Sequence, residues 1–414
     1  MHQARVQARS GGAPNETDKA FIICCGSASL EGFIWPRLPL SRPAQQSEIN
    51  RQRGPRPVTP YWALFSLFAF AALVGGARLR FANRGTGSQW SGESRSLLLM
   101  LGAVVVGAMI GFRYNVGGDW GAYDFMYKLA FYHSLGEMLD LGDPGYQLLT
   151  WLSQQVEGGL LLIDLVCGAL FSWGLFRLVR IQPEPWLAML VAVPYMIIVV
   201  AMGYSRQGVA LGILMAGLAK LMRGGSALSF VPYVAAAALF HKTAVVVLPL
   251  GIVGVYRHRV IAILAAAGFG YILYSFLLQG SLGDLVQSYI GARYSSQGAI
   301  TRVLMTASAA ALFFLFRKRL NFNPVEYGIW RNYSLASFAM MIALFIVPSS
   351  TVIDRLALYL LPLQVAVIGR LPLVTNEEFF GRAAVIAFSG AVLFVWLTYA
   401  DNSSYWVPYQ FYPI

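Results

Sequence analysis

From residue 60 to the end of the chain, apolar runs follow one another closely, separated by short polar and basic groups. Their length and their lack of period-two alternation read as helices that cross or enter a membrane. The pattern predicts spans at about 61–77, 96–112, 159–176, 186–203, 205–221, 227–240, 243–256, 260–279, 300–316, 333–348, 356–372 and 383–400. That is an all-α, polytopic fold of about 12 transmembrane helices. Several runs fall short of the roughly 20 residues of an upright span. Those helices extend into flanking polar residues, or they are broken or re-entrant. No internal repeat is visible.

Residues 1–57 stand apart from this pattern. They are rich in Arg, Pro, Ser and Gln, and their one apolar stretch, Phe21 to Cys25, is too short to span. Glu31 and Pro36 interrupt the chain soon after that stretch, so the segment does not read as a signal peptide. It reads as disordered or as a misassigned start, with Val58 opening the first apolar run; a functional cytoplasmic tail is the other reading. Residues 58–414 then form a single multi-span membrane domain.

Composition supports the membrane reading. Of 414 residues, 57% are hydrophobic and 12% charged, and the mean hydropathy is +0.58. Soluble chains carry about 25% charged residues, and a soluble fold of this size has too little interior for so much apolar surface. The net charge of +12 is scattered between apolar runs rather than gathered in a stripe, so membrane lipids, not nucleic acid, are the expected neighbours. Three cysteines, Cys24, Cys25 and Cys167, make no disulfide framework and no metal spacing.

Basic residues orient the chain. The loops after odd-numbered spans hold sixteen Arg and Lys, and the intervening loops hold seven. The odd-numbered loops are therefore cytoplasmic, and the 113–158 loop and the C-terminus are external.

The few external basic residues sit at span ends beside polar and aromatic groups, where charge near a membrane points to function. In GFRYNVGGDWGAYDFMYK, Arg113 caps a span and precedes Asp119, Trp120, Tyr123 and Asp124. The acids suit a hydroxyl to be oriented or deprotonated, and the aromatic faces suit sugar rings; the alternative is an interfacial aromatic belt with a helix cap. Further on, the run opened by Asp143 in LGDPGYQLL reads as a loop re-entering an amphipathic helix. GYSRQG places Arg206 and Gln207 between apolar runs, a fork for phosphate or an arginine snorkelling to head groups.

FHKT places His241 and Lys242 between two short spans, as a base, a phosphate contact or a structural helix end. Arg293 and Tyr294, followed by Arg302, lie in a gate-like loop or an amphipathic interfacial helix. Asp354 and Arg355, with Tyr359 one turn on, form either a structural pair or an arginine presented to an anion while Asp354 orients it. No P-loop, HExxH, CxxC or acidic metal pair appears, so no metal and no cofactor are expected.

In their order and on their side of the membrane, R…GGDW…Y, SRQ, FHK-T, DR…Y and the Tyr/Pro-rich C-terminus resemble the EpsG branch of the Wzy-type polysaccharide polymerases. The similarity covers roughly residues 60 to 414; in FHKT the threonine stands where the family more often has a small residue such as Ser. The resemblance implies a bacterial inner-membrane glycosyltransferase of the GT-C type, joining repeat units carried on undecaprenyl diphosphate at the periplasmic face to make exopolysaccharide. Lipid-linked oligosaccharide is then the substrate, and flippase and chain-length or export proteins are the pathway partners. Arg113, Asp119, Arg206, Gln207, His241, Asp354 and Arg355 match the family's polar positions. Arg206 with Arg355 or Arg293 is expected to neutralise the diphosphate, and Asp119, or else His241, to take the acceptor's proton. An O-antigen-ligase-like transferase and a transporter or flippase of lipid-linked sugars are the rival readings.

Overall fold

The computed structural model describes residues 58–83, 92–255, 268, 296, 298–347, 349–375 and 377–412. Among them the chain is helical, and the one β-bridge joins Arg113 to Phe411. The predicted span at 260–279, Arg293, Tyr294 and the N-terminal 57 residues lie outside the described residues.

Helices α1 (Thr59–Asn83) and α2 (Gly92–Gly111) open the bundle. Three short helices then fill the predicted external loop: α3 (Trp120–Leu129), α4 (Leu135–Asp140) and α5 (Pro144–Gln155). Local capping explains two of them. Ser134 and Glu137 close a reciprocal capping box at α4, and Pro144 starts α5 where its missing N–H costs nothing.

Next come α6 (Gly159–Val179), α7 (Pro185–Ala192) running into a π-helix (Val193–Ala201), and α8 (Ser205–Met222). Helix α9 (Val231–Phe240) passes through a 3₁₀ segment (Lys242–Val247) into α10 (Leu248–Val255). The second half holds α11 (Ala299–Phe316), α12 (Pro324–Ile346), α13 (Ser350–Ala357), α14 (Pro362–Ile368) and α15 (Glu378–Tyr399).

Four of these helices, α6, α11, α12 and α15, are long and apolar enough to cross a membrane by themselves. The segments Ser350–Leu360 and Pro362–Leu373 add a fifth crossing if taken as one span, bent by 47°. Pro362 explains the bend, because it removes a helical donor and crowds the preceding turn. The remaining apolar runs are shorter helices, and two expected spans, at 186–203 and 243–256, contain π and 3₁₀ stretches. Helix α12 instead lengthens into polar sequence, beginning nine residues before the predicted run. Asn323 and Glu326 cap it reciprocally, at 2.9 and 3.0 Å.

The bundle is centred on α6, which packs against α2 on one side and α8 on the other. Small residues permit the approach. A Cβ on Gly168 of α6 would stand 2.6 Å from the Gly107 carbonyl of α2, and one on Gly174 would collide with the Gly212 backbone of α8. In lipid, helices associate through such close packing because burial from water no longer drives them together.

Two buried ion pairs lock the side assigned as cytoplasmic. Arg370 binds Glu326 at 2.8 Å and Arg382 binds Glu184 at 2.6 Å, joining the start of α12 to the chain after α14, and the start of α7 to α15. These arginines carry more than the topological signal read from the sequence. The C-terminal tail is threaded into the opposite end, where Trp406 is buried and donates from Nε1 to the Ile198 carbonyl at 2.7 Å.

Candidate functional site

The break between the π-helix and α8 leaves Tyr204 outside the helix as its N-cap and sets Arg206 and Gln207 in the first turn of α8. Arg206 is buried, and its Nη1 lies 3.1 Å from Asp143 Oδ2. The other oxygen of Asp143 accepts from the Lys242 amide, also at 3.1 Å. One carboxylate at the head of α5 thus joins the start of α8 to the corner between α9 and the 3₁₀ segment.

At that corner His241 takes an extended conformation and ends α9. Its Nδ1 is 2.8 Å from Thr243 Oγ1, which lies 3.2 Å from the Tyr359 hydroxyl. Tyr359 sits edge-on to the imidazole, with ring centroids 6.3 Å apart. From the second half of the chain, the Arg355 carbonyl accepts from Gln207 Nε2 at 2.6 Å. The Arg355 guanidinium lies 4.0 Å from the Tyr204 ring centroid, where a cation is attracted by the ring face.

Asp119 stands at the N-terminus of α3 and makes no capping bond there. Burial pushes its carboxyl above the usual carboxylate range, and the charges of Arg355 and Arg206 offset this in part. Burial acts the other way on His241, pushing the imidazole down to about 4 and leaving it neutral near pH 7. Tyr123 is buried and packs on Tyr146, with centroids 5.3 Å apart. Two buried polar atoms in this region lack a hydrogen-bond partner: Gln207 Oε1 and the Tyr146 hydroxyl. Buried polar atoms left in this way mark places where a ligand or water completes the pattern.

The expected residues separate into those the fold gathers and those it does not. Asp119, Tyr123, Arg206, Gln207, His241, Arg355 and Tyr359 converge, and Lys242 joins through its backbone amide. Arg113 lies one layer beneath. It is fully buried, and its Nη2 binds Asp164 Oδ1 at 2.5 Å and Ser205 Oγ at 2.7 Å. Its guanidinium is therefore committed to supporting the residue before Arg206. Trp120 packs beside it, with its ring centroid 6.0 Å from the Arg113 guanidinium carbon. Asp124 faces solvent and pairs with Lys128 at 2.5 Å, outside the cluster.

Asp354 differs from the expectation that it orients Arg355. Its carboxylate is gripped by Arg302, from Nε at 2.6 Å and Nη2 at 2.5 Å, and by Ser296 Oγ at 2.8 Å. Adjacent residues on a helix do not face each other, so Asp354 and Arg355 point to different neighbours. Asp143, Tyr204 and Thr243 were not among the expected site residues. Asp143 carried a local signal only, because an Asp before Pro reads as a helix start. Among the described residues, no group of three or more His, Cys, Asp or Glu side chains comes together.

An apolar helical bundle with charged residues gathered at broken helix ends defines a multi-pass membrane protein. The chain belongs to the EpsG family, which residues 96–411 match. No curated protein and no solved structure matches it.

Proposed function

We propose that this protein polymerises oligosaccharide repeat units carried on undecaprenyl diphosphate, at the periplasmic face of the bacterial inner membrane. Family membership points to exopolysaccharide synthesis. The observation that carries the reading is the gathering of Arg206, held by Asp143, and Arg355, over Tyr204 and joined to Gln207, near enough to Asp119 for both charges to act on its carboxyl. A glycosyl transfer from a lipid diphosphate needs cations for the leaving group and a base for the acceptor, side by side.

In this mechanism the acceptor hydroxyl oxygen attacks the anomeric carbon of the growing chain. The carbon–oxygen bond to the diphosphate breaks, and its electron pair leaves with the phosphate. Arg206 and Arg355 stabilise the charge that develops there, and Asp119 takes the hydroxyl proton. The raised basicity of Asp119 favours it over His241, whose lowered pKa makes it a poor base. His241 instead orders Thr243 and Tyr359 along one wall. Lys242, Trp120 and Tyr123 are assigned to sugar or phosphate contacts around this centre, and Asp124, outside the cluster, and Arg293 and Tyr294, outside the described residues, to further substrate contacts. Arg113 and Asp354 support it from behind, through Ser205 and Arg302. We assign the protein a GT-C-like architecture of about twelve crossings, and flippase, chain-length and export proteins as its pathway partners.

The test supplies purified protein in lipid with a lipid-diphosphate-linked repeat unit and no nucleotide sugar. A ladder at repeat-unit spacing is the expected product. Lipid-linked sugar moved across the bilayer without a ladder would overturn the reading in favour of transport.

A further inference from the structure

Away from the cluster, a cavity of about 460 Å³ opens between α11 and α15. Pockets that hold small molecules measure about 300–1,000 Å³. Its walls are apolar: Met305 of α11, Phe388, Val392 and Trp396 of α15, and Tyr195 from the π-helix. Its polar lining comes from helix ends, with Arg302 in the first turn of α11 and Asp401 just beyond α15. Between Phe388 and Tyr399, α15 rises about 17 Å at 1.5 Å per residue. That is about half of the roughly 30 Å hydrocarbon core, or one leaflet. Both polar ends belong to the side that the arginine count makes external.

The polar end also leads to the cluster. Arg302 grips Asp354 at 2.6 Å, and the next residue, Arg355, binds Gln207 through its carbonyl and lies over Tyr204 with its guanidinium. A molecule with a long apolar tail in the cavity therefore has its head at Arg302, on the Asp354 side of α13, and from the next position of that helix Arg355 reaches Tyr204 and Gln207. We propose that this cavity holds the isoprenoid chain of the lipid-linked sugar and hands its diphosphate past Arg302 to Arg355. The assignment rests on the polymerase reading above and adds the place where the carrier lipid docks.

A diazirine-bearing isoprenyl diphosphate, photolysed with the full chain in phosphatidylglycerol nanodiscs, tests it. Label is expected on the peptides holding Met305 and Phe388–Trp396, and excess unlabelled isoprenyl diphosphate should reduce it at least tenfold. Ala391→Trp fills the cavity and should lose the label, while Phe394→Trp, outside the lining, should keep it. Label confined to other helices overturns the proposal. So does equal displacement by added phosphatidylglycerol, which would make the cavity a general lipid site.

Labelling needs no turnover, so the two readings fail separately. Wild-type protein that labels at these peptides but forms no ladder sinks the polymerase reading and leaves an isoprenoid site. A ladder without label at these peptides sinks this proposal alone.

Discussion

Asp143 holds Arg206 with one carboxylate oxygen and the Lys242 amide with the other, each at 3.1 Å. The arginine's position is thus tied to the His241 corner through a residue 63 positions away in the chain. Charge and geometry at the cluster depend on this one side chain.

Replacing Asp143 with alanine leaves a buried guanidinium without its nearest carboxylate. Breaking a buried pair from one side costs about 3–5 kcal/mol. Asp143→Ala is therefore expected to lower thermal stability in detergent and to reduce polymer formation. Asp143→Asn, which keeps an oxygen and a similar shape, should recover most of the stability and less of the activity. Melting curves and ladder rates measured on the same preparations separate the two effects.

The acid limb of the pH–rate profile should belong to Asp119. Burial raises its pKa above the ~3.9 of a free aspartate. A base works ionised, so the rate climbs as pH rises through that raised pKa and levels off above it. Asp119→Asn is expected to remove the limb and to lower kcat by about 10²–10⁴. A limb that persists unchanged in Asp119→Asn would assign the proton to another group.

The tail that returns to the core gives a prediction about stability. Trp406 is buried against Gly203, two residues before Ser205, and the Tyr61 hydroxyl donates to its carbonyl at 2.6 Å. Trp406→Ala should cost about 3–5 kcal/mol, as aromatic deletions in a packed core do. It should also loosen the turn that presents Arg206. Denaturation in detergent reads the first effect, and the KM for the lipid-linked unit reads the second.

Helix packing offers a harsher change. Gly174 and Gly212 bring α6 and α8 so close that an added Cβ on Gly174 meets backbone. Gly174→Val is expected to abolish assembly of the bundle, seen as loss of the monodisperse peak in size-exclusion chromatography. Gly121→Ala, where a Cβ meets nothing within 4 Å, should be silent.

Much of this was legible in the sequence, for physical reasons that also mark the limits. Arg206, Gln207, His241 and Arg355 interrupt apolar runs, and the cost of a charge near a membrane makes such interruptions visible. Asp119 stood out beside Gly117 and Trp120 for the same reason. Pairings were not legible. Arg113 was conspicuous, but its partner Asp164 is 51 residues away, and nothing local says that they cancel. Asp354 was expected to serve its neighbour Arg355, while the helical repeat turns it to Arg302. The π and 3₁₀ stretches beside Pro194 and Pro362 were not legible, although broken helices were expected among the short runs. The apolar pattern reports burial and carries no mark for π or 3₁₀ turns.

The most direct test of the central claim is the ladder rate of Arg206→Ala in lipid, with its folding checked by melting temperature. Removing a group that stabilises developing charge costs about 10²–10³ in kcat, and a loss of at least that size is expected. An Arg206→Ala protein that folds and still makes long polymer at the wild-type rate would contradict it.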